Sequence, residues 1–146
     1  MRSYLAAALV CGALLGAGSV TLAQERTPSP AGAEVYIISP KDGATVHNPV
    51  RVQFGLKGMG IAPAGMKYDN SGHHHLLIDT DPPAADSGAL PATDKIVHFG
   101  KGQTETTLTL PPGKHTLQLL FVDANHIPHS PPLLSKKITI NVQNSP

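Results

Sequence analysis

The chain has 146 residues, and eleven Lys and Arg against ten Asp and Glu leave a formal net charge of only +1. This balance excludes the strongly basic surface that nucleic-acid-binding proteins use. A single cysteine excludes an internal disulfide framework. Fourteen prolines, fourteen glycines and no tryptophan favour many short elements joined by tight turns over long helices.

Residues 1–23 are predicted to be a cleavable secretory signal peptide. The segment has a basic Arg2, an apolar run over residues 5–15, and a small Ala23 before the polar Gln24. Glycines dilute the apolar run below what a retained transmembrane anchor needs, and Cys11 comes too early for a lipidation site. We therefore expect a periplasmic or secreted protein with no membrane anchor after cleavage.

Cleavage removes the positive charge of Arg2 and the only cysteine, Cys11. The remaining chain, about 120 residues long, is then neutral and offers no thiolate as a metal ligand. That length suffices for one hydrophobic core of modest size, so a single domain is expected.

Residues 24–33 are polar, contain prolines and show no periodicity, which predicts a flexible leader. Over residues 34–143, apolar β-forming runs alternate with turn signals, which predicts an all-β, immunoglobulin-like antiparallel β-sandwich. We label its expected strands A, B, C, E, F and G. They are EVYIIS (34–39), VRVQFGL (50–56), HHHLLID (73–79), QTETTLTL (103–110), KHTLQLLFVD (114–123) and KKITINV (136–142).

Two long stretches between these strands, residues 57–72 and 80–95, hold no amphipathic helical pattern. Long loops in a compact domain are often functional. A short or irregular strand D is expected within residues 80–97. Turn sequences that combine proline and glycine, at residues 40–43 and 111–114, mark strand ends.

Three separated motifs carry a family resemblance. They are GHHHLLIDTD (72–81), HFGKGQTETTLTLPPGKHTLQLL (98–120) and HIPHSPP (126–132). In this order they resemble a bacterial exported family catalogued as domain of unknown function 4399, and the resemblance covers nearly the whole predicted domain. It implies an exported domain without an established activity, so it supplies no mechanism.

Eight histidines are the outstanding feature of the composition, and imidazole is the commonest metal ligand in proteins. In the predicted sandwich, the B-to-C, D-to-E and F-to-G connections lie at one pole. The histidines expected at that pole are the predicted metal ligands: His73, His75, His98, His126 and His129.

The spacing of the first two ligands supports this hypothesis. His73 and His75 are two residues apart on an extended strand, so their side chains share one face, while His74 points the other way. Asp123, at the end of strand F, is expected near the start of strand C.

Two methionines, Met59 and Met66, belong to the B-to-C loop at the same pole. Imidazole and thioether donors without a thiolate favour copper, with zinc less favoured. The leading hypothesis is therefore a periplasmic copper-binding carrier, chaperone or buffer. Its expected partners are the metal ion and, for a carrier, another periplasmic protein.

Other polar residues favour structural roles. His115 follows the E-to-F turn at the opposite pole and is expected to turn inward and hydrogen-bond across the corner. His47 is expected at the surface. Asp79 and Asp81 indicate a turn more than a pair of catalytic carboxylates. Because no serine lies in a nucleophile elbow, a hydrolase is not expected.

An oxidative copper enzyme is a third class. A histidine-brace oxygenase needs an N-terminal histidine, whereas the predicted mature terminus is Gln24. A dismutase-like site could use His73 and His75, but the disulfide of copper-zinc dismutases is impossible here. An enzyme is therefore not expected.

The alternative hypothesis is a non-catalytic, immunoglobulin-like envelope module that binds protein or glycan. Histidines in turns often hydrogen-bond to backbone carbonyls, and here they would only hold loops together. The two hypotheses differ in whether the histidines bind a metal.

Overall fold

The computed structural model describes residues 25–144, which form ten β-strands and no helix. The strands are β1 (Glu34–Ser39), β2 (Thr45–His47), β3 (Val50–Lys57), β4 (Gly60–Ile61), β5 (Ser71–Ile78), β6 (Ile96–Phe99), β7 (Glu105–Leu108), β8 (Gly113–Val122), β9 (Pro128–Leu134) and β10 (Ile138–Gln143). The predicted all-β class is confirmed, and the immunoglobulin-like assignment within that class stays a prediction.

The predicted signal peptide, residues 1–23, lies outside the described residues, and so does Gln24. In the part of the chain that the structure describes, no apolar helix reaches the length needed to cross a membrane.

The strands form two sheets. The smaller has the order β1-β3-β7, and the larger has the order β2-β10-β8-β5-β4, with β6 paired to β5 and β9 paired to β8. The predicted strands A, B, C, E, F and G correspond to β1, β3, β5, β7, β8 and β10. β2 and β4 pair in parallel with β10 and β5, so the larger sheet is mixed, whereas the sequence predicted antiparallel pairing throughout.

The main hydrophobic core lies between the two sheets. On β8, the alternate residues Leu117, Leu119 and Phe121 face it and have no exposed area. Val52 and Phe54 of the smaller sheet belong to the same cluster. Burying side chains of this size contributes about 1.5–3 kcal/mol each. This burial holds the two sheets face to face.

The opposite face of β5 and β8 carries a second layer. Leu77, Leu120 and Val122 form a small buried cluster there with Leu90 of the connection between β5 and β6. The backbone N–H of Leu90 donates to the carbonyl of His126 at 2.8 Å. The connection therefore packs over this face of the larger sheet, which we call the outer layer.

At the end of the domain opposite His126, the side chain of His115 on β8 contacts the segment after β5 and the turn before β8. Its Nδ1 lies 2.6 Å from Asp79 Oδ2, and its Nε2 lies 2.7 Å from the Pro111 carbonyl. Burial lowers the pKa of His115, but the hydrogen bonds to Asp79 and Pro111 together raise it by more than burial lowers it. The pKa of His115 therefore lies above its usual value. These contacts match the corner role expected from the sequence, and His47 lies exposed.

Candidate metal centre

β5 contributes two histidines to the outer layer. His73 and His75 are fully buried, and their ring centroids lie 5.2 Å apart. Both lie on the same face of β5 as Leu77, because side chains alternate between the two faces along a strand. β5 is paired with β8 on one side and β6 on the other, so it holds both rings rigidly.

β6 contributes His98. This residue was expected in a loop after strand D, but β6 pairs with β5, and His98 is the register partner of His75. Directly paired residues place their side chains on the same face. The ring of His98 accordingly lies 5.0 Å from the rings of both His73 and His75, measured between centroids.

The turn between β8 and β9 contributes His126. Its ring centroid lies 4.9 Å from that of His73 and 4.8 Å from that of His98. Its Nε2 lies 3.1 Å from His98 Nε2. His126 has a φ of 67°, in the left-handed region, where histidine is found more often than most residues.

Three of these histidines have the geometry to hold one metal ion. One nitrogen from each of His73, His98 and His126 lies within 4.8 Å of the others. Metal–imidazole bonds of about 2.0–2.1 Å would require these nitrogens to lie closer together, at roughly 3.3–3.4 Å in a tetrahedral site. The ring of His75 lies within 5.8 Å of all three others by centroid, but its nitrogens are not part of the group that lies within 4.8 Å.

The buried nitrogens of this cluster have no other use in the described residues. Neither nitrogen of His73 or of His75 has a hydrogen-bond partner there. Burying an unsatisfied polar group costs free energy, commonly about 1–3 kcal/mol. A metal ion at the cluster would satisfy one nitrogen on each ring.

Burial also keeps these imidazoles neutral, which is the form that binds metals. Burial, with the nearby rings of His126 and His98, lowers the pKa of His73 to about 4, although Asp123 raises it in part. Burial and the neighbouring His73 and His98 lower the pKa of His75 to about 3. Both rings could therefore bind a metal at neutral pH without losing a proton.

His129, the fifth predicted ligand, lies apart from these four. Its ring stacks on Phe121 at 5.9 Å, and its Nδ1 lies 3.4 Å from the Phe121 carbonyl. His74 also contacts Phe121, on the core side of the sheet. Among the ring contacts of residues 25–144, none joins His129 to His73, His75, His98 or His126.

No hydrogen bond or ring contact in the described residues joins Met59 or Met66 to the histidines. Met59 packs against the main core. Met66 is 47% exposed, on a turn whose residues Ala64 and Gly65 hydrogen-bond to Gly100 and Ala124. The donors brought together are therefore imidazoles.

Two glycines beside the cluster are a feature that the sequence analysis missed. A Cβ at Gly72 would overlap the Val122 carbonyl oxygen, so Gly72 lets β5 and β8 approach closely. A Cβ at Gly100 would overlap the ring of His98 and lie 3.1 Å from Ala64 Cβ. A glycine inside or just after a strand often marks such a close approach, and this was the available signal.

Gly100→Ala is expected to weaken metal binding about tenfold while the fold persists. The added methyl group meets the ring of His98, which can rotate away but then leaves the cluster. Displacing a group that orients a ligand typically costs 10- to 100-fold in affinity, which supports about tenfold here. Titration of the purified variant with Cu(II) measures the effect.

The matched control for this substitution is Gly60→Ala, where the nearest atom to the added Cβ is 4.0 Å away. It should bind metal like the parent protein. Parent-like affinity in Gly100→Ala would show that the position of His98 does not matter for binding.

The fold and the site define an all-β domain with a buried histidine cluster on the outer layer of its larger sheet. The chain belongs to the family described as Domain of unknown function (DUF4399), whose sequence model matches residues 52–143. That range includes His73, His75, His98 and His126.

No curated protein matches the chain. Among solved structures, the chain is similar to the endo-beta-1,4-mannanase from Thermotoga petrophila. The sequence identity is 18% and the TM-score 0.46, over 77% of this chain and 20% of that chain. The chain thus spans about a fifth of that enzyme's length, and a likeness of this size carries no functional inference.

Proposed function

We propose that this domain binds one transition-metal ion, and that the ion is copper. His73, His98 and His126 are the primary ligands, with His75 as a fourth. The observation that carries the proposal is the approach of one nitrogen from each of the three primary ligands to within 4.8 Å of the others. The unpartnered, buried nitrogens of His73 and His75 support it.

The choice of copper among the metals that imidazole suits rests on the order of affinities. Imidazole suits copper, zinc, nickel and iron, and Cu(II) stands highest among the divalent ions in the Irving–Williams order. Zinc is the second candidate. A four-imidazole site suits its tetrahedral preference, but its affinity is lower than that of Cu(II) in the same order. The exposed thioether of Met66 does not enter this argument, since it has no described contact with the cluster.

We further propose that the domain carries or buffers copper in the periplasm and is not an enzyme. With His75 as the fourth donor a tetrahedral site is full, whereas catalytic metal sites keep one position open, so the non-enzymatic proposal depends on His75 joining the three primary ligands. His98 and His126 are only partly buried, so an ion exchanges with a periplasmic partner through them. The predicted signal peptide supports the location.

The test is calorimetric titration of the metal-stripped protein with Cu(II), with Cu(I) under reductant, and with Zn(II). One equivalent of Cu(II) should bind with Kd below about 1 μM, or roughly −8 kcal/mol. His98→Ala with His126→Ala should weaken this binding by more than about 100-fold. Because both side chains are partly exposed, the core should survive the double substitution.

The matched control is His47→Ala, which removes an exposed histidine far from the cluster in sequence and should bind like the parent protein. If none of the three ions binds stoichiometrically, the proposal is wrong. The histidines would then serve packing alone, and a protein or glycan partner becomes the hypothesis to pursue.

A further inference from the structure

The turn that carries His126 is closed by the carboxylate of Asp123, which is only 7% exposed. Asp123 Oδ1 accepts hydrogen bonds from the backbone N–H groups of Asn125 at 2.9 Å and Ile127 at 3.0 Å. The backbone adds two bonds, from His126 N–H to the Asp123 carbonyl and from Asp123 N–H to the Ile127 carbonyl, each 3.0 Å. All four hydrogen bonds that hold the turn around His126 are therefore made by Asp123.

The second carboxylate oxygen of Asp123 binds the N-terminal segment. Thr27 Oγ1 donates to Asp123 Oδ2 at 2.8 Å, and this bond spans 96 positions of the chain. The bond leaves Oδ1 free for the turn. Asp123 thus connects the segment that precedes β1 to the turn that carries a metal ligand.

Residues 26–29 belong to the segment that the sequence predicted to be a flexible leader, but in the structure further bonds fix them along β9. The guanidinium of Arg26 donates to the carbonyls of Pro128, at 3.0 Å, and His129. Ser130 N–H donates to the Thr27 carbonyl at 2.9 Å, and Ser29 N–H donates to the Ser130 carbonyl at 3.0 Å. We call residues 26–29 the strap. Because it is tied at several points, its Thr27 hydroxyl has a defined position.

The charge of Asp123 also acts on the cluster. Among the influences on the pKa of His73, Asp123 is the one that favours positive charge there. A metal cation held at the same place experiences the same attraction. Asp123 therefore combines a geometric effect on His126 with an electrostatic effect at the ion.

We propose that Asp123 and Thr27 are positioning residues of the metal centre, and that the strap holds the His126 turn in its binding conformation. This inference rests on the proposed metal-binding function. Outer groups that orient metal ligands commonly change affinity 10- to 100-fold. The strap would then set the affinity of the site without touching the ion.

Three substitutions separate the contributions. Thr27→Val keeps the side-chain shape and removes the hydroxyl donor, and should weaken Cu(II) binding about tenfold. Thr27→Ser restores the hydroxyl and should restore the affinity. Asp123→Asn keeps a carbonyl oxygen for the two backbone N–H groups but removes the charge, so it should weaken binding while the turn stays closed.

The measurements are the Kd for Cu(II) by calorimetry, the electron paramagnetic resonance spectrum of bound Cu(II), and the melting temperature of the metal-free protein. Displacement of His126 changes the spectrum of the bound ion, whereas a loss of stability alone does not. The control is Asp79→Asn, which removes a carboxylate that likewise accepts a backbone N–H, from Thr116, and a side-chain bond, from His115. It should lower stability and leave Cu(II) affinity and spectrum unchanged.

The outcomes separate this inference from the proposed function. If the parent protein binds no metal, both are overturned. If the parent protein binds Cu(II) while Thr27→Val and Asp123→Asn match it in affinity and spectrum, only the positioning role is overturned. Should Asp123→Asn fail to fold, Thr27→Val decides alone, because it leaves Asp123 in place.

Discussion

Cu(II) at a free concentration about 1,000 times its Kd should raise the melting temperature of the protein by about 15 °C. A ligand that binds only the folded state at this excess stabilises it by about 4 kcal/mol. For a chain of about 120 folded residues, each kcal/mol corresponds to roughly 4 °C. The shift is expected because the four histidines converge only when β5, β6 and the His126 turn are in place.

Calorimetric or circular-dichroism melts of the metal-stripped protein, with and without Cu(II), measure this shift. His98→Ala with His126→Ala provides the comparison, since it retains His73 and His75 but has lost two of four donors. Its melting temperature should rise by only a few degrees. An equal rise in both proteins would mean that Cu(II) stabilises the fold from some other place on the chain.

The shared face of His73 and His75 follows from local periodicity and could be predicted from the sequence. Side chains on an extended strand alternate whatever the tertiary structure, so the spacing of two was sufficient information. The meeting of His98 and His126 with this pair was also expected, from the order of the connections in a sandwich. The prediction was wrong about the element that carries His98, which lies on β6, a strand paired with β5, and not in a loop.

The position of His129 shows where such reasoning stops. In the sequence it follows His126 by three residues, and a turn with prolines gives no parity to decide its direction. In the structure, the pairing of β8 with β9 shifts register between Phe121 and Val122. His129 lies against Phe121, apart from His126. A register shift of this kind depends on how both strands pack, so it could not be predicted from the pattern of residues in one sequence.

The long connection between β5 and β6 gives a similar lesson. Its lack of helical pattern predicted a loop of functional interest, but not what it covers. Leu90 is the one residue of this connection in the outer-layer cluster, and its N–H binds the His126 carbonyl. A single leucine among prolines and alanines carries no visible signal of that contact.

The metal-free protein is expected to lose stability steeply as the pH falls below about 6.5. Burial, partly offset by the backbone of Gln103, lowers the pKa of His74 to about 4, and burial chiefly lowers those of His73 and His75 to about 4 and 3. In the unfolded chain all three regain their ordinary pKa of 6.5. The unfolded state therefore takes up more protons over this range, and protonation favours unfolding.

The sign and size of this effect follow from the two pKa values of each group. Stability from a lowered pKa is complete above the unfolded value of 6.5 and is lost as the pH falls through the folded value. Between about pH 7.5 and pH 5, each histidine loses roughly 2 kcal/mol, or about 6 kcal/mol for the three. A domain stable by about 6–9 kcal/mol, in the lower half of the usual range of about 5–15 kcal/mol, should then have its acid-unfolding midpoint between about pH 5 and pH 4.

Urea unfolding of the metal-free protein at several pH values measures the slope, which near pH 5 should correspond to about three protons. His74→Leu isolates one of them. This ring contacts Phe54 and Phe121 in the core and is not a proposed ligand, so leucine should pack there and leave the metal centre intact. The slope should fall to about two protons and the midpoint should move to lower pH.

Constant stability from pH 7 to 4.5 in the parent protein would instead show that these rings are protonated in the folded state without cost. That result would contradict their burial as neutral ligands, on which the proposed copper site depends.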